Sequence, residues 1–332
     1  MKPKLIFILI LFLLSSSVSA QNTFRVMFYN VENLFDILDE PDKQDEEFTP
    51  DGIRHWSNKR YYNKLNNLSK VITSVGGWNT PALIGMCEVE NDKVMRDLTL
   101  HSPIRNLQYQ YVVTQSPDAR GIDVALLYQR DQFKLLYQND IRIHFPKNKH
   151  KKTRDVLHVT GKVITGDTLD VFVCHFPSRR GGQAESEPDR MHVASIIRTK
   201  VDSLQTIRTK AHILIMGDFN DEPSDKSISK VLVNNDLHNL FLPLEQKSPI
   251  GSYKFGDQWN FLDQIIVSKN LLQKNHPFHV LTETATIFQA DFLLVNDRTH
   301  GGKRPKKTFN GRKYEGGYSD HLPVFVDFKT FD

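Results

Sequence analysis

The stretch at residues 213–220, Ile-Leu-Ile-Met-Gly-Asp-Phe-Asn, limits the fold more than any other part of the chain. Four apolar residues lead into Gly217, and Asp218 and Asn220 follow. A short unbroken apolar run reads as a strand buried on both faces. Such a strand needs a layer above it and another below. Open α/β sheets place their ligands at the ends of strands like this one. Gly217 would let the backbone turn close to a substrate. If the chain stays extended, Asp218 and Asn220 point to one side and Phe219 to the other. A carboxylate and an amide then stand together at the mouth of a core strand. An Asp-x-Asn turn cap has the same sequence.

Strand-like runs recur at residues 24–29, 81–87, 109–114, 122–129, 133–143, 156–164, 168–174, 261–267 and 322–328. Gly166-Asp167 between two of them reads as a hairpin turn. Residues 58–75 repeat Tyr61, Leu65, Leu68, Ile72 and Val75 at helical spacing. Ser57 would cap this helix and Gly76-Gly77 would end it. A short helix is expected after Asn91. Residues 189–207 carry Met191, Ala194, Ile197, Val201 and Leu204 on one helical side. Residues 39–56 are acidic and turn-rich, with Pro41, Pro50 and Gly52, and read as a solvated loop. Residues 147–152 form a basic tip and residues 303–313 a second basic stretch. No linker or short repeat interrupts residues 21–332, which read as one α/β domain with helices outside its sheets.

Lys plus Arg is 43 and Asp plus Glu is 39, a net charge of only +4. This argues against a dedicated nucleic-acid scaffold and leaves a nuclease open. Lys2 and Lys4, the apolar run 5–14 and the small residues ending Val18-Ser19-Ala20 form a secretory signal peptide over residues 1–20. The apolar run is short for a membrane span. The mature chain, starting at Gln21, is therefore expected to be exported to a periplasm or beyond, with no membrane span of its own. Cys87 and Cys174 lie in apolar runs. They read as two small buried residues, with one disulfide in an oxidising compartment as the alternative.

Polar residues recur at one structural position. Asn30, Glu88, His175, Asp218 with Asn220, and His321 each stand at or beside the end of an apolar run. Singly, each is as readily a cap or a turn residue. Together, and in this order, they resemble the endonuclease/exonuclease/phosphatase superfamily. The matching pieces are Phe-Tyr-Asn-Val-Glu-Asn at Asn30, Gly-Met-Cys-Glu-Val-Glu at Glu88, His175 after a strand, Gly217-Asp218-Phe219-Asn220, Leu-Asp-Gln-Ile-Ile-Val-Ser at Asp263, and Ser319-Asp320-His321. The resemblance implies a four-layer α/β sandwich, two packed mixed β-sheets flanked by helices. It also implies hydrolysis of a phosphate ester by water with Mg²⁺ or Mn²⁺.

In that chemistry the cation offsets charge on the phosphoryl oxygens. Glu88, with Asn30 beside it and Asp320 as a further contact, would supply hard oxygen ligands. Asp218 is placed to act as the base, and Asn220 to orient the water or hold a phosphate oxygen. His321 would stabilise the transition state as a cation beside Asp263. The alternative makes His321 the base, oriented by Asp263. His175 resembles a second histidine that contacts phosphate or assists the leaving group. Arg120 and Asp123, in a turn before a strand, and Arg179 and Arg180, after His175, are candidate substrate contacts.

Departures from the better-known branches leave the substrate open. Val89 follows Glu88 where apurinic-site endonucleases carry Thr-Lys, and Leu-Asp-Gln replaces the Cys-Asp-Arg of inositol phosphatases. No aromatic hairpin of the bacterial sphingomyelinase kind stands out in the sequence. The expectation is a monomeric, exported phosphodiesterase acting as an endonuclease on nucleic acid. A lipid or small-molecule phosphoesterase is the alternative, and a non-catalytic binding protein on the same fold is a third reading.

Overall fold

The computed structural model describes residues 23–146 and 148–331. The expected signal peptide, and Lys147 of the basic tip, lie outside the described residues. In chain order the strands are β1 (Thr23–Leu34), β2 (Leu83–Val89), β3 (Gln110–Val113), β4 (Asp123–Tyr128), β5 (Phe133–Ile141), β6 (Val156–Val163), β7 (Thr168–His175), β8 (His212–Asp218) and β9 (Leu237–Asn239). After them come β10 (Tyr253–Phe255), β11 (Gln258–Asn260), β12 (Asp263–Ser268), β13 (His279–Ile287), β14 (Leu294–Asn296), β15 (Lys303–Pro305), β16 (Phe309–Asn310), β17 (Lys313–Tyr314) and β18 (Val324–Lys329). The helices are α1 (Asn58–Gly76), α2 (Asp92–Leu100), α3 (Gln183–Ile207) and α4 (Leu242–Lys247).

Two six-stranded sheets form the body, ordered β13-β18-β1-β2-β4-β3 and β5-β6-β7-β8-β12-β9. Both are mixed: β1 runs parallel to β2 and β7 parallel to β8, while their other pairings are antiparallel. The alternation of strand side chains sorts β8 between two cores. Leu214 and Met216 face the core between the sheets, and Ile213 and Ile215 pack toward α3. β7 divides likewise, with Val171 and Val173 inside and Phe172 and Cys174 outside. Val193, Ala194, Ile197 and Val201 of α3 cover the second sheet, while α1 lies against the first through Leu65, Leu68 and Ile72. The result is the helix–sheet–sheet–helix sandwich that the resemblance implies.

Several local expectations change. Residues 39–56 are not simply a solvated loop: Phe48 stacks on Phe35 at 4.4 Å, and buried Trp56 donates Nε1–H to the Phe35 carbonyl at 2.9 Å. These aromatic contacts draw an otherwise polar segment over the end of β1. Ser57 occupies the cap position of α1 but makes no side-chain capping bond. α3 begins at Gln183, six residues before the apolar stripe predicts, with Pro188 inside it. Its first turns carry only Ala184 and Pro188 among polar residues, too little to make a stripe. Both cysteines are free and buried. Gly217 does not serve a turn. It lies inside β8, where an added Cβ would fall 2.3 Å from the Cys174 carbonyl oxygen and 2.4 Å from its Sγ. Its role is the close approach of β7 and β8. Among the described residues, no helix is long and apolar enough to cross a membrane.

Gly85 plays a similar part between the sheets, where an added Cβ would fall 2.8 Å from Met216 Sδ. The obstacle at Gly217 is backbone and cannot move aside, whereas a thioether can swing. Gly217→Ala is therefore expected to lower the unfolding free energy by about 1–3 kcal/mol, and Gly85→Ala by less. Urea unfolding followed by tryptophan fluorescence checks this, and the reverse order would refute it.

Candidate active site

Strand register sets the site. In the second sheet His175 stands opposite Asp218, and Asp218 opposite Asp263, so three titratable groups lie abreast on β7, β8 and β12. In the first sheet Asn30 is paired with Cys87. Beyond that pair the register slips on both sides of β2. Against β4 the extra residue is Glu88, while against β1 residues 31–33 stand opposite Glu88 alone, and bulges re-aim side chains. The φ of Glu88 is +61°, and Glu32, Asn33 and Asn220 also have positive φ. Non-glycine residues held in this region store strain, and such strain gathers at functional sites.

The two sheets meet at Asp218 Oδ2. Asn30 Nδ2 donates to it at 3.0 Å from the first sheet. His175 Nε2 stands 3.6 Å away and His321 Nε2 3.8 Å away. Asp218 Oδ1 accepts the Asn220 N–H at 2.9 Å. Behind His321, Nδ1–H donates to Asp263 Oδ2 at 2.7 Å. The loop carrying His321 is pinned to β1: Ser319 Oγ donates to the Asn30 carbonyl at 2.7 Å and accepts the His321 N–H at 3.0 Å.

Burial and charge pull these groups apart in acidity. Burial pushes the Asp218 carboxyl up to about 7, against the lowering influence of His321. Burial opposes the His321 cation, but the Asp263 and Asp218 carboxylates raise it well above the ordinary histidine value. His175 goes the other way, held well below that value by burial and then by the charge of Arg154 and Arg120. Burial also acts to raise Glu88, but Arg120, His321 and the Asn33 N–H together hold it below its ordinary value. Asp320 is raised by burial and by the facing charge of Glu88.

A cleft of about 750 Å³ brings together Asn30, Glu88, Arg120, His175, Arg180, Asp218, Asn220, Asp320 and His321. Asp263 stands behind it, 1 % exposed. Two expectations are corrected, and one is narrowed. Asp123 is not at the cleft: its carboxylate accepts from Thr114 Oγ1 at 2.6 Å and from the Ser116 N–H at 2.9 Å, and so braces its own turn. Arg179 lines the wall as expected, but three of its five N–H groups are held by the Asn220 carbonyl, Asn260 Oδ1 and Asp225 Oδ2 at 2.7, 3.2 and 3.0 Å. Asn220 is not extended: with φ of +49° it turns back, and its amide donates to the Phe176 carbonyl at 3.1 Å.

Other residues of the site gave no signal in sequence. Tyr253 bridges to His321 through the backbone and lays its ring 4.7 Å from the imidazole. Ser252 Oγ accepts the Asp263 N–H at 3.1 Å. Arg154, in a run of basic residues, is buried instead and donates to the Phe176 carbonyl at 2.7 Å.

For a divalent cation the donor set is suitable. Glu88 stays ionised and lines the cleft with Asn30 and Asp320, all three offering hard oxygen atoms. Asn30 Oδ1 accepts the Glu32 N–H at 3.0 Å, which leaves it a second lone pair. Among the described residues, the groups whose possible ligand atoms lie within 4.8 Å of one another are Asp218–Asp263–His321 and Cys87–His175–Asp218, beside these three residues at the same cleft.

Comparison with known proteins now decides the family. Residues 25–330 match the endonuclease/exonuclease/phosphatase family. The chain belongs to that family. Its members are phosphoester hydrolases, and the fold recurs in distant solved structures. An endonuclease/exonuclease/phosphatase family protein from Bacteroides thetaiotaomicron is 17% identical with a TM-score of 0.58, over 93% of this chain and 95% of that one. D. rerio TDP2, solved with a single-strand DNA product, is 13% identical with a TM-score of 0.56, over 93% and 99%. A mannosyl-6-phosphatase from Bacteroides thetaiotaomicron VPI-5482 is 17% identical with a TM-score of 0.55, over 92% and 99%. At these identities the likeness is one of fold. No curated protein is similar enough in sequence to match.

The His321–Asp263 pair yields a direct test. Because folded His321 binds its proton more tightly than the unfolded chain does, the pair contributes fully to stability below about pH 6.5. That contribution fades as the pH rises through the folded value. Asp263→Asn is expected to lower the His321 pKa, read by NMR titration of the labelled imidazole. An unchanged titration would remove Asp263 as the cause.

Proposed function

We propose that the chain is a divalent-metal-dependent phosphodiesterase of endonuclease type, exported from the cell and acting as a monomer. The observation that carries the reading is the facing pair at the cleft floor, the Asp263-bound His321 imidazole and the Asp218 carboxylate, with Nε2 and Oδ2 3.8 Å apart. A group kept protonated and a group able to take a proton across such a gap match the needs of water attack on a phosphate ester. Among the structural neighbours, the TDP2 bound to single-strand DNA product supports nucleic acid as the substrate.

Asp218 takes the proton as the water oxygen forms its bond to phosphorus and the bond from phosphorus to the leaving oxygen breaks, that oxygen taking its proton from solvent. Its raised pKa suits a base working near neutrality, and Asn30 and the Asn220 N–H hold the carboxylate in place. His321 donates Nε2–H to a phosphoryl oxygen, and Asp263 keeps it protonated and oriented. This favours Asp218 over His321 as the base. His175, kept neutral, acts as a hydrogen-bonding group and not as a cation. Glu88, Asn30 and Asp320 would hold a Mg²⁺ or Mn²⁺ ion, which offsets phosphoryl charge and stabilises the leaving oxygen when bound. Arg120 and Arg180 line the walls where flanking phosphates would pass.

A second reading, a phosphomonoesterase of small sugar phosphates, is favoured by the mannosyl-6-phosphatase among the neighbours. One experiment separates the two. Plasmid, single-stranded DNA, RNA and mannose 6-phosphate are each incubated with Mg²⁺ or Mn²⁺, and again with chelator. Cleavage of nucleic acid that disappears with chelator is expected. Asp218→Asn is expected to reduce it by about 10²–10⁴. Glu88→Gln should abolish both turnover and the rise in melting temperature on adding Mn²⁺. Turnover of mannose 6-phosphate alone would overturn the endonuclease reading.

A further inference from the structure

The basic stretch near the C-terminus takes no part in the chemistry above. Residues 298–313 hold seven Lys and Arg and no Asp or Glu. This exceeds the +4 of the whole chain, so the remainder is net acidic. The positive charge is concentrated, and the fold sets it beside the cleft.

Two short ribbons, β14–β15 and β16–β17, carry the segment. Their footing is fixed. Buried Lys64 of α1 donates to Thr308 Oγ1 at 2.7 Å and to the Tyr318 carbonyl at 2.6 Å. Glu32, at the end of β1, accepts the Thr308 N–H at 2.6 Å. Arg304 is spent on Glu315 at 2.7 Å, and Lys303 reaches Asp291 at 3.4 Å. Arg298, Lys306, Lys307, Arg312 and Lys313 make no ion pair among the described residues. Five cations are thus presented on a rigid support.

Two hollows connect them to the cleft. The first, about 200 Å³, is lined by Arg54, Lys307, Gly311 and Asp320, and Asp320 also lines the cleft. The second, about 520 Å³, is lined by Arg298, Lys306, Asn310 and Lys313, and by Asp297 and Glu315, whose charges are met by Lys254 and Arg304. Asn310 and Gly311 are adjacent in the β16–β17 turn, so one turn separates the two hollows.

We propose that this ribbon face is an exosite that holds the phosphate backbone of a nucleic-acid strand beyond the scissile bond. The inference rests on the endonuclease reading above. A small ester would fill the cleft and never reach Lys313. A polymer with a charge on every unit would meet Asp320, then Lys307, then Lys306 and Lys313. Contacts of this kind neutralise phosphates without reading bases, so they add affinity and salt dependence without sequence preference.

The test uses the mature protein and a fluorescent 20-residue single-stranded oligonucleotide. Binding is followed by anisotropy in chelator across a range of salt, so that it is read without turnover. Arg298→Gln/Arg312→Gln/Lys313→Gln is compared with a control of equal charge loss, Lys134→Gln/Lys200→Gln/Lys210→Gln. The exosite variant is expected to bind about tenfold more weakly, with a salt slope shallower by about 2. The control should track the wild type. Equal affinity and slope in the two variants, or no binding by the wild type, would overturn the exosite. Binding to phosphatidylglycerol vesicles in place of the oligonucleotide would overturn it too. Oligonucleotide binding through these residues with no cleavage on adding metal would uphold the exosite and sink the endonuclease reading.

Discussion

Everything at the cleft depends on one buried carboxylate oxygen being met from both sheets. Asp218 Oδ2 receives the Asn30 amide from the first sheet and faces two imidazoles from the other side. A carboxylate 2 % exposed is costly to bury. It is tolerable here because strand register delivers its partners. Slipping β8 by one residue would turn Asp218 toward α3 and leave its partners empty. The tight fit at Gly85 and Gly217 guards that register, since neither position has room for a side chain.

Burial is common to the cleft residues, and neighbouring charge decides what it does to each. His175 and His321 are both buried histidines whose Nε2 atoms face the same oxygen. One is held neutral and the other charged, because Asp263 stands behind His321 while Arg154 and Arg120 act on His175. Backbone strain is concentrated in the same place. Glu32, Asn33, Glu88 and Asn220, each with positive φ, all belong to segments that build the cleft and its rim. A regular strand could not aim Glu88 away from the sheet at this point.

Much of this was legible in the chain. The apolar runs, their ends and the polar residues standing at those ends came through, because burial on both faces leaves an unbroken hydrophobic pattern. Asp123 was misjudged because residue type does not give direction. It turns inward and braces its own turn, while Arg179 lines the cleft and gives three N–H groups to neighbouring loops. Tyr253 and Ser252 left no trace because their contacts with His321 and Asp263 are distant in sequence. The ribbons at β14–β17 were too short to leave a periodic signal.

The sequence by itself determined the layered α/β class, the buried strands and the set of acidic, amide and histidine groups at their ends. Those follow from side-chain polarity and spacing, which are local. Tertiary structure alone decided which groups meet, because distances between segments far apart in the chain depend on how two sheets pack. It brought His321 to 2.7 Å from Asp263, the partner that the family resemblance implied. It turned Asp123 away from the cleft and tied Arg179, on the cleft wall, to the loops behind it, and it set a basic segment with no evident role along the cleft's edge.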